Sequence, residues 1–173
     1  IQLAGVVCMV LGLLGMLHQA GSNGAPMLIC GALGASAIAV SCALQAVDGV
    51  ALKFMVDRWA AASPADKDAM FNTAYAVRSV EIGLAAVASI TTGVTVAVAS
   101  FALFQAMFGR ILLLCTGLTA GTLFVVSGLV IGVSGFSGLA MSINMPSSAL
   151  LMVWIVSVSI IGWRRSTKLT AGN

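Results

Sequence analysis

Charge is what this sequence has least of. Only 8% of its 173 residues are charged, and the five acidic ones all fall within positions 48–81. Ordinary globular domains carry about 25% charge. A chain that is 60% hydrophobic, with a mean hydropathy of +1.11, has too little polar surface for a water-soluble fold of this length. Histidine is nearly missing too: His18 stands alone, which excludes a histidine-ligated zinc or a two-histidine haem built within this chain. The patterns GxSxG, HExxH, GxGxxG and the P-loop are absent, which removes the common soluble chemistries. The four cysteines, Cys8, Cys30, Cys42 and Cys115, form no CxxC pair and read as small packing residues. Met141 and Met145, one helical turn apart, could serve as soft Cu(I) ligands, although core filling or lipid contact is the commoner use of methionine in so apolar a chain. No nucleic-acid partner is expected.

What the chain has instead is long apolar runs. Inside a bilayer every backbone N–H and C=O must be paired within the span, so helices or a closed barrel are the only solutions. A barrel would show strands of about ten residues with alternating polarity; here the runs are continuous and near the 20 residues a helix needs to cross. The sequence therefore predicts an all-α integral membrane bundle in one domain. About five transmembrane helices are expected, at about 1–17, 27–47, 80–108, 111–133 and 147–163. Between the second and third lies a polar helical connection, 48–79, expected as an amphipathic interfacial hairpin. "HQAGSNGAP" at 18–26, "FGR" at 108–110 and "SGFSGLAMSINMP" at 134–146 read as the other connections. The first residue is not methionine and stands already inside an apolar run, so upstream sequence is expected and five spans is a lower bound.

Orientation rests on the end of the last span. Trp163 followed by Arg164, Arg165 and Lys168 is a basic flank beside an interfacial aromatic, which favours a cytoplasmic C-terminus. Alternating the spans back from there leaves four basic residues on each side, a tie.

Two features bear on function. Gly117, Gly121, Gly128 and Gly132 form a smooth stripe along the fourth span, of the kind that lets helix backbones approach closely. It could face another helix of the same chain or a partner protein. A shorter version, Gly31 and Gly34 with Ala35 and Ser36, lies in the second span. The other feature is the charged window. "SPAD" at 63–66 reads as a helix start, with Ser63 as N-cap, Pro64 in the first turn, and Asp66 and Asp68 at the positive end of the dipole. In the helix before it, Leu52, Met55, Val56 and Trp59 share an apolar arc while Lys53 and Asp57 lie opposite, four apart and able to pair. That is the pattern of a helix lying along the membrane surface, anchored by Trp59. Asp48 breaks it: either Asp48-Gly49 is a turn that ends the second span and caps the surface helix, or the span continues and the carboxylate faces the bundle. In the second case Arg78, one turn before Glu81 as the third span begins, could bridge Glu81 and Asp48, as a structural ion pair or as a polar site.

The run "LQAVDGVALKFMVDRWAAASPADKDAMFNTAYAVRSVEIG", 44–83, with its Asp-Gly after an apolar span, its Trp and alanines before "SPADK", and its Arg/Glu pair, resembles a group of bacterial multi-pass membrane proteins known as a domain of unknown function. The resemblance covers about 40 residues and implies a bacterial inner-membrane location; it brings no catalytic residues. Two function classes follow. One is a non-enzymatic structural or accessory subunit, or assembly factor, whose partners are the lipid bilayer and other membrane subunits or further copies of itself. The other is a small transporter, channel or ligand-binding membrane protein using Asp48, Arg78 and Glu81, with 134–146 as a gate. Sequence names no cofactor, and a pigment or lipid between spans is left open.

Overall fold

The computed structural model describes residues 2–19, 21, 24–106 and 111–170. Among them every regular element is helical: α1 (Gln2–Gln19), α2 (Ala25–Ala46), a π-helical segment (Val47–Leu52), α3 (Lys53–Ala61), α4 (Lys67–Ala106), α5 (Ile111–Ser134) and α6 (Gly138–Thr170). Four stretches are long and apolar enough to cross a membrane: Ala25–Ala61, Lys67–Gln105, Ile111–Ser134 and Gly138–Arg164; the apolar Ala4–Gln19 is shorter. The "FGR" connection and Arg110 lie outside the described residues.

Successive helices alternate in direction, and α4 is the central one, packed by α5 and α2 and touched by α1. Helix α6 reaches the core through α5 and through one large side chain, Trp154. Two apolar clusters hold the bundle. Towards the C-terminal end of α6, Leu13 and Leu17 of α1, Cys30 of α2, Val96 and Leu103 of α4, Leu113 of α5 and Trp154 of α6 converge. Towards the other end, Ala85 and Ala86 of α4, Ile131 of α5 and Ala140 of α6 meet, with Leu44 of α2 against them. The outer faces are apolar as well, with Leu28, Leu112 and Val133 largely exposed. In water such faces would associate; in a bilayer they meet lipid.

The connections follow from local chemistry. Helix α2 begins with Pro26 in its first turn, after Gly24 at φ 103°. Helix α5 ends on Gly135, whose φ of 64° suits glycine and whose N–H bonds the Ile131 carbonyl at 2.8 Å, closing the helix in a left-handed cap. Ser137 then starts α6 at once: its hydroxyl accepts from the Ala140 N–H at 3.2 Å. The expected long connection 134–146 is therefore only three residues, and Pro146 sits inside α6. The helix tolerates it, with the Ser147 and Ser148 hydroxyls donating to the Ile143 and Asn144 carbonyls at 2.6 and 2.9 Å.

The chain does not turn at Asp48-Gly49 either. Ala46, Val47, Leu52 and Lys53 all keep right-handed helical dihedrals, so α2 runs through the π segment into α3 as one rod. The turn comes later, where Ala62 is extended (ψ 149°) and the Ser63 carbonyl accepts from Asp66 N–H and Lys67 N–H at 3.0 and 3.1 Å. Helix α3 thus runs back along the start of α4 as an antiparallel hairpin. A helix lying along the membrane surface would need a bend at residues 47–52, where the backbone has none.

Candidate functional site

The polar residues of the charged window separate into three environments. Lys53 and Asp57 pair at 2.5 Å on the outer side of α3, with side chains 72% and 62% exposed; a pair so open to solvent adds little stability. The Lys67 ammonium sits 5.4 Å from the Trp59 ring across the hairpin, and the Arg58 guanidinium lies 5.1 Å from Phe54. Ser63 and Asp66 bond through their side chains at 2.7 Å, so the Ser63 hydroxyl donates to the carboxylate and is not the expected N-cap acceptor, while its carbonyl closes the turn that precedes α4.

Arg78 and Glu81 form the second environment. The Arg78 Nη1 reaches Glu81 Oε1 and Oε2 at 2.6 and 2.5 Å, and the Glu81 side chain is 5% exposed while that of Arg78 is 41% exposed. The Arg78 guanidinium also lies 4.9 Å from the centre of the Phe136 ring, in the three-residue connection between α5 and α6. The pair therefore ties the start of the membrane-embedded part of α4 to the α5–α6 turn. It does so with the acid turned inwards and the base facing outwards, where water or headgroups solvate it.

Asp48 is the third. It is exposed, in the first turn of the π segment, and belongs to neither of the two ion pairs among the described residues. Nor does it hold the cap position, which Ala46 occupies. So the structure brings together two of the three expected site residues, Arg78 and Glu81, and leaves Asp48 outside.

The glycine stripe faces α4 of the same chain. A Cβ on Gly121 would lie 2.6 Å from the Gly93 carbonyl oxygen, and one on Gly93 would lie 2.5 Å from the Gly121 carbonyl oxygen. A Cβ on Gly128 would meet the Ala86 carbonyl oxygen at 2.7 Å. Gly117 leaves room for Ser100 of α4 and for the Trp154 indole of α6, whose Nε1 would stand 2.5 Å from an added Cβ. Gly132 is looser, 3.6 Å from the Ala86 side chain. In α2 a Cβ on Gly34 would lie 2.6 Å from the Val10 side chain of α1, while one on Gly31 would meet only Leu14, at 3.9 Å. Gly93, a single glycine in "TTGVT", and Phe136, in a short loop, were not singled out by sequence; only their contacts across the bundle give them a role.

Within the spans the hydroxyls turn back on their own helices. Thr95 donates to the Thr91 carbonyl and Ser100 to the Val96 carbonyl, each at 2.7 Å and each residue fully buried. Trp154 is 1% exposed, and its Nε1 is buried over Gly117 without a hydrogen-bond partner among the described residues. Met141 and Met145 are both exposed on α6. Trp163 is 76% exposed near the end of α6, with Arg164 beside it also exposed; the Arg165 side chain lies outside the described residues. Comparison with protein-family models, with curated proteins and with solved structures found no match.

Proposed function

We propose that this chain is a non-enzymatic accessory subunit or assembly factor of a larger membrane complex, and that the α3–α4 hairpin is its point of contact. The projection of that hairpin carries the reading. The Arg78–Phe136 contact sets the level at which α5 turns into α6. From Arg78 back to Lys67 is 11 rises of continuous helix, about 17 Å at 1.5 Å per rise. The π segment and α3 are the elements of the rod that flank this part of α4. The projecting part exposes Phe54, Trp59, Phe71 and Tyr75, the last two stacked with ring centres 6.5 Å apart. Rigid aromatic side chains held outside the body of a protein beside arginine are the residue types enriched at protein interfaces. We place the chain in a bacterial inner membrane with the C-terminus cytoplasmic, a reading supported by the basic flank after Trp163, and the hairpin then lies on the opposite side. Five crossings, counting the shorter α1, accompany that orientation.

The test is the native mass after extraction in a mild detergent. The expected particle is larger than a small homo-oligomer and contains other polypeptides; Phe71→Ala with Tyr75→Ala should release them while helix content is kept. A monomer or dimer of this chain alone would sink the proposal. Ligand binding is the second reading, and the observation in its favour is a crevice between α1 and α6.

A further inference from the structure

Helices α1 and α6 touch at few points, the firmest being Met16 on Gly162, and between them lies an apolar crevice of about 1260 Å³. Its α1 wall runs from Gly5 to Gln19 and its α6 wall from Leu151 to Thr167, with Trp154 and Thr92 behind. Since α1 and α6 run the same way, Gln19, Trp163 and Thr167 mark one end, the end that carries the basic cluster.

We infer that this crevice is a binding site for an anionic phospholipid, with acyl chains along α1 and the phosphate at the C-terminal end of α6. Three observations select this occupant. The α1 wall holds Gly5, Gly12 and Gly15, and a Cβ on any of them would meet nothing within 4 Å. These glycines thus differ from Gly121 and Gly128, which are filled by α4; they leave a smooth surface that no helix among the described residues covers. Shape comes next. Gly5 to Gln19 spans 14 rises, about 21 Å, and the groove along them is lined almost wholly by apolar groups, which suits extended acyl chains. The last is charge. Arg164 is exposed one residue past Trp163, and Arg165 and Lys168 follow in the same helix, so three cationic residues stand within two turns of the crevice mouth. Basic groups at the membrane surface between helices favour anionic headgroups, and flexible methionines such as Met9 and Met152 on the walls adapt to disordered chains. This site stands apart from the hairpin and does not rest on it.

Tryptophan fluorescence tests the inference, because only Trp59, Trp154 and Trp163 emit. In Trp59→Phe protein, reconstituted in phosphatidylcholine vesicles, brominated phosphatidylglycerol should reach half-quenching at about tenfold lower mole fraction than brominated phosphatidylcholine. Replacing Arg164, Arg165 and Lys168 by glutamine should remove that preference. Gly12→Leu, which has open space to enter, should fill the crevice and reduce the phosphatidylglycerol quenching severalfold with helix content unchanged. Equal quenching by both lipids, or quenching indifferent to Gly12→Leu, would overturn the site in favour of ordinary surrounding lipid. Release of the lipid by millimolar inorganic phosphate would overturn it in favour of a free-anion site.

Discussion

Gly121 and Gly132 belong to one stripe in the sequence, yet their surroundings separate them. An added methyl at Gly121 meets backbone atoms of Gly93 and Ala97 at 2.6 and 3.1 Å, and backbone cannot step aside as a side chain can. Gly121→Ala should therefore force α4 and α5 apart and destabilise by about 1–3 kcal/mol, the usual range for overpacking. At Gly132 the nearest atom is the Ala86 Cβ at 3.6 Å, an ordinary contact, and Gly132→Ala should be neutral or mildly stabilising. Unfolding in mixed micelles compares the two; equal losses would mean that the stripe is not seated on α4. The charged residues separate in the same way. Glu81→Gln leaves Arg78 without its carboxylate at a half-buried position, and a loss of about 1–2 kcal/mol is expected, below the range for a fully buried pair because solvent reaches the arginine. Asp48→Asn changes an exposed side chain outside that pair and should shift the unfolding midpoint by less than about 0.5 kcal/mol. If Asp48→Asn proved as damaging as Glu81→Gln, the carboxylate would have a partner after all.

At the scale of the element, the π segment decides what could be read from sequence. The apolar runs, the break at 18–26 and the Arg78–Glu81 spacing were legible, because each rests on composition or on contacts within one helical turn; the helix start expected at Ser63 comes a turn later, at Lys67, because the Ser63 hydroxyl donates to the Asp66 carboxylate. The continuity of α2 into α3 was not. Asp-Gly is a turn signal, and carrying the α3 periodicity backward at 100° per residue set Asp48 on the apolar arc. The wider i→i+5 turn over 47–52 takes up about one extra residue, a phase slip of about 100°, which brings Asp48 round to the outside. Packing of the segment on α4 holds that turn in place, and such a contact leaves no mark in a local pattern. Gly138 to Pro146 failed for the complementary reason: glycine, serine and proline suggested a loop, while Ser137 supplied the cap that starts α6 early. Gly49 makes the continuity testable. It is exposed, lies within the rod, and a Cβ there would meet nothing within 4 Å. Gly49→Ala should stabilise by about 0.5–1 kcal/mol, as alanine does over glycine inside a helix, with slightly higher helicity by circular dichroism. At a turn with positive φ the same substitution would destabilise.

At the scale of the whole molecule the two ends differ, and their difference fixes a topology that can be measured. One end carries the hairpin, with about 17 Å of α4 beyond the Arg78–Phe136 contact. The other carries the ends of α1 and α6 together, as the Met16–Gly162 contact requires. The hairpin tip and the residues after Trp163 must then face opposite sides of the bilayer, because α4 and α6 run the same way and the hairpin precedes α4. The native cysteines stand at positions in α1, α2 and α5, with Cys30 buried, so a variant with all four replaced by alanine gives a clean background. In it, Ser63→Cys should react with a membrane-impermeant maleimide in intact cells, and Ser166→Cys only in inverted membrane vesicles. Labelling of both from the same side would require an even number of crossings between them and would overturn the helix order as a transmembrane arrangement. Labelling from opposite sides in the reverse sense would keep the bundle and turn it over, placing the hairpin and its aromatic face in the cytoplasm and the phospholipid site in the outer leaflet. The positively charged end argues against that inversion, since three basic residues follow Trp163 within five positions while the hairpin balances its four basic residues with four acidic ones.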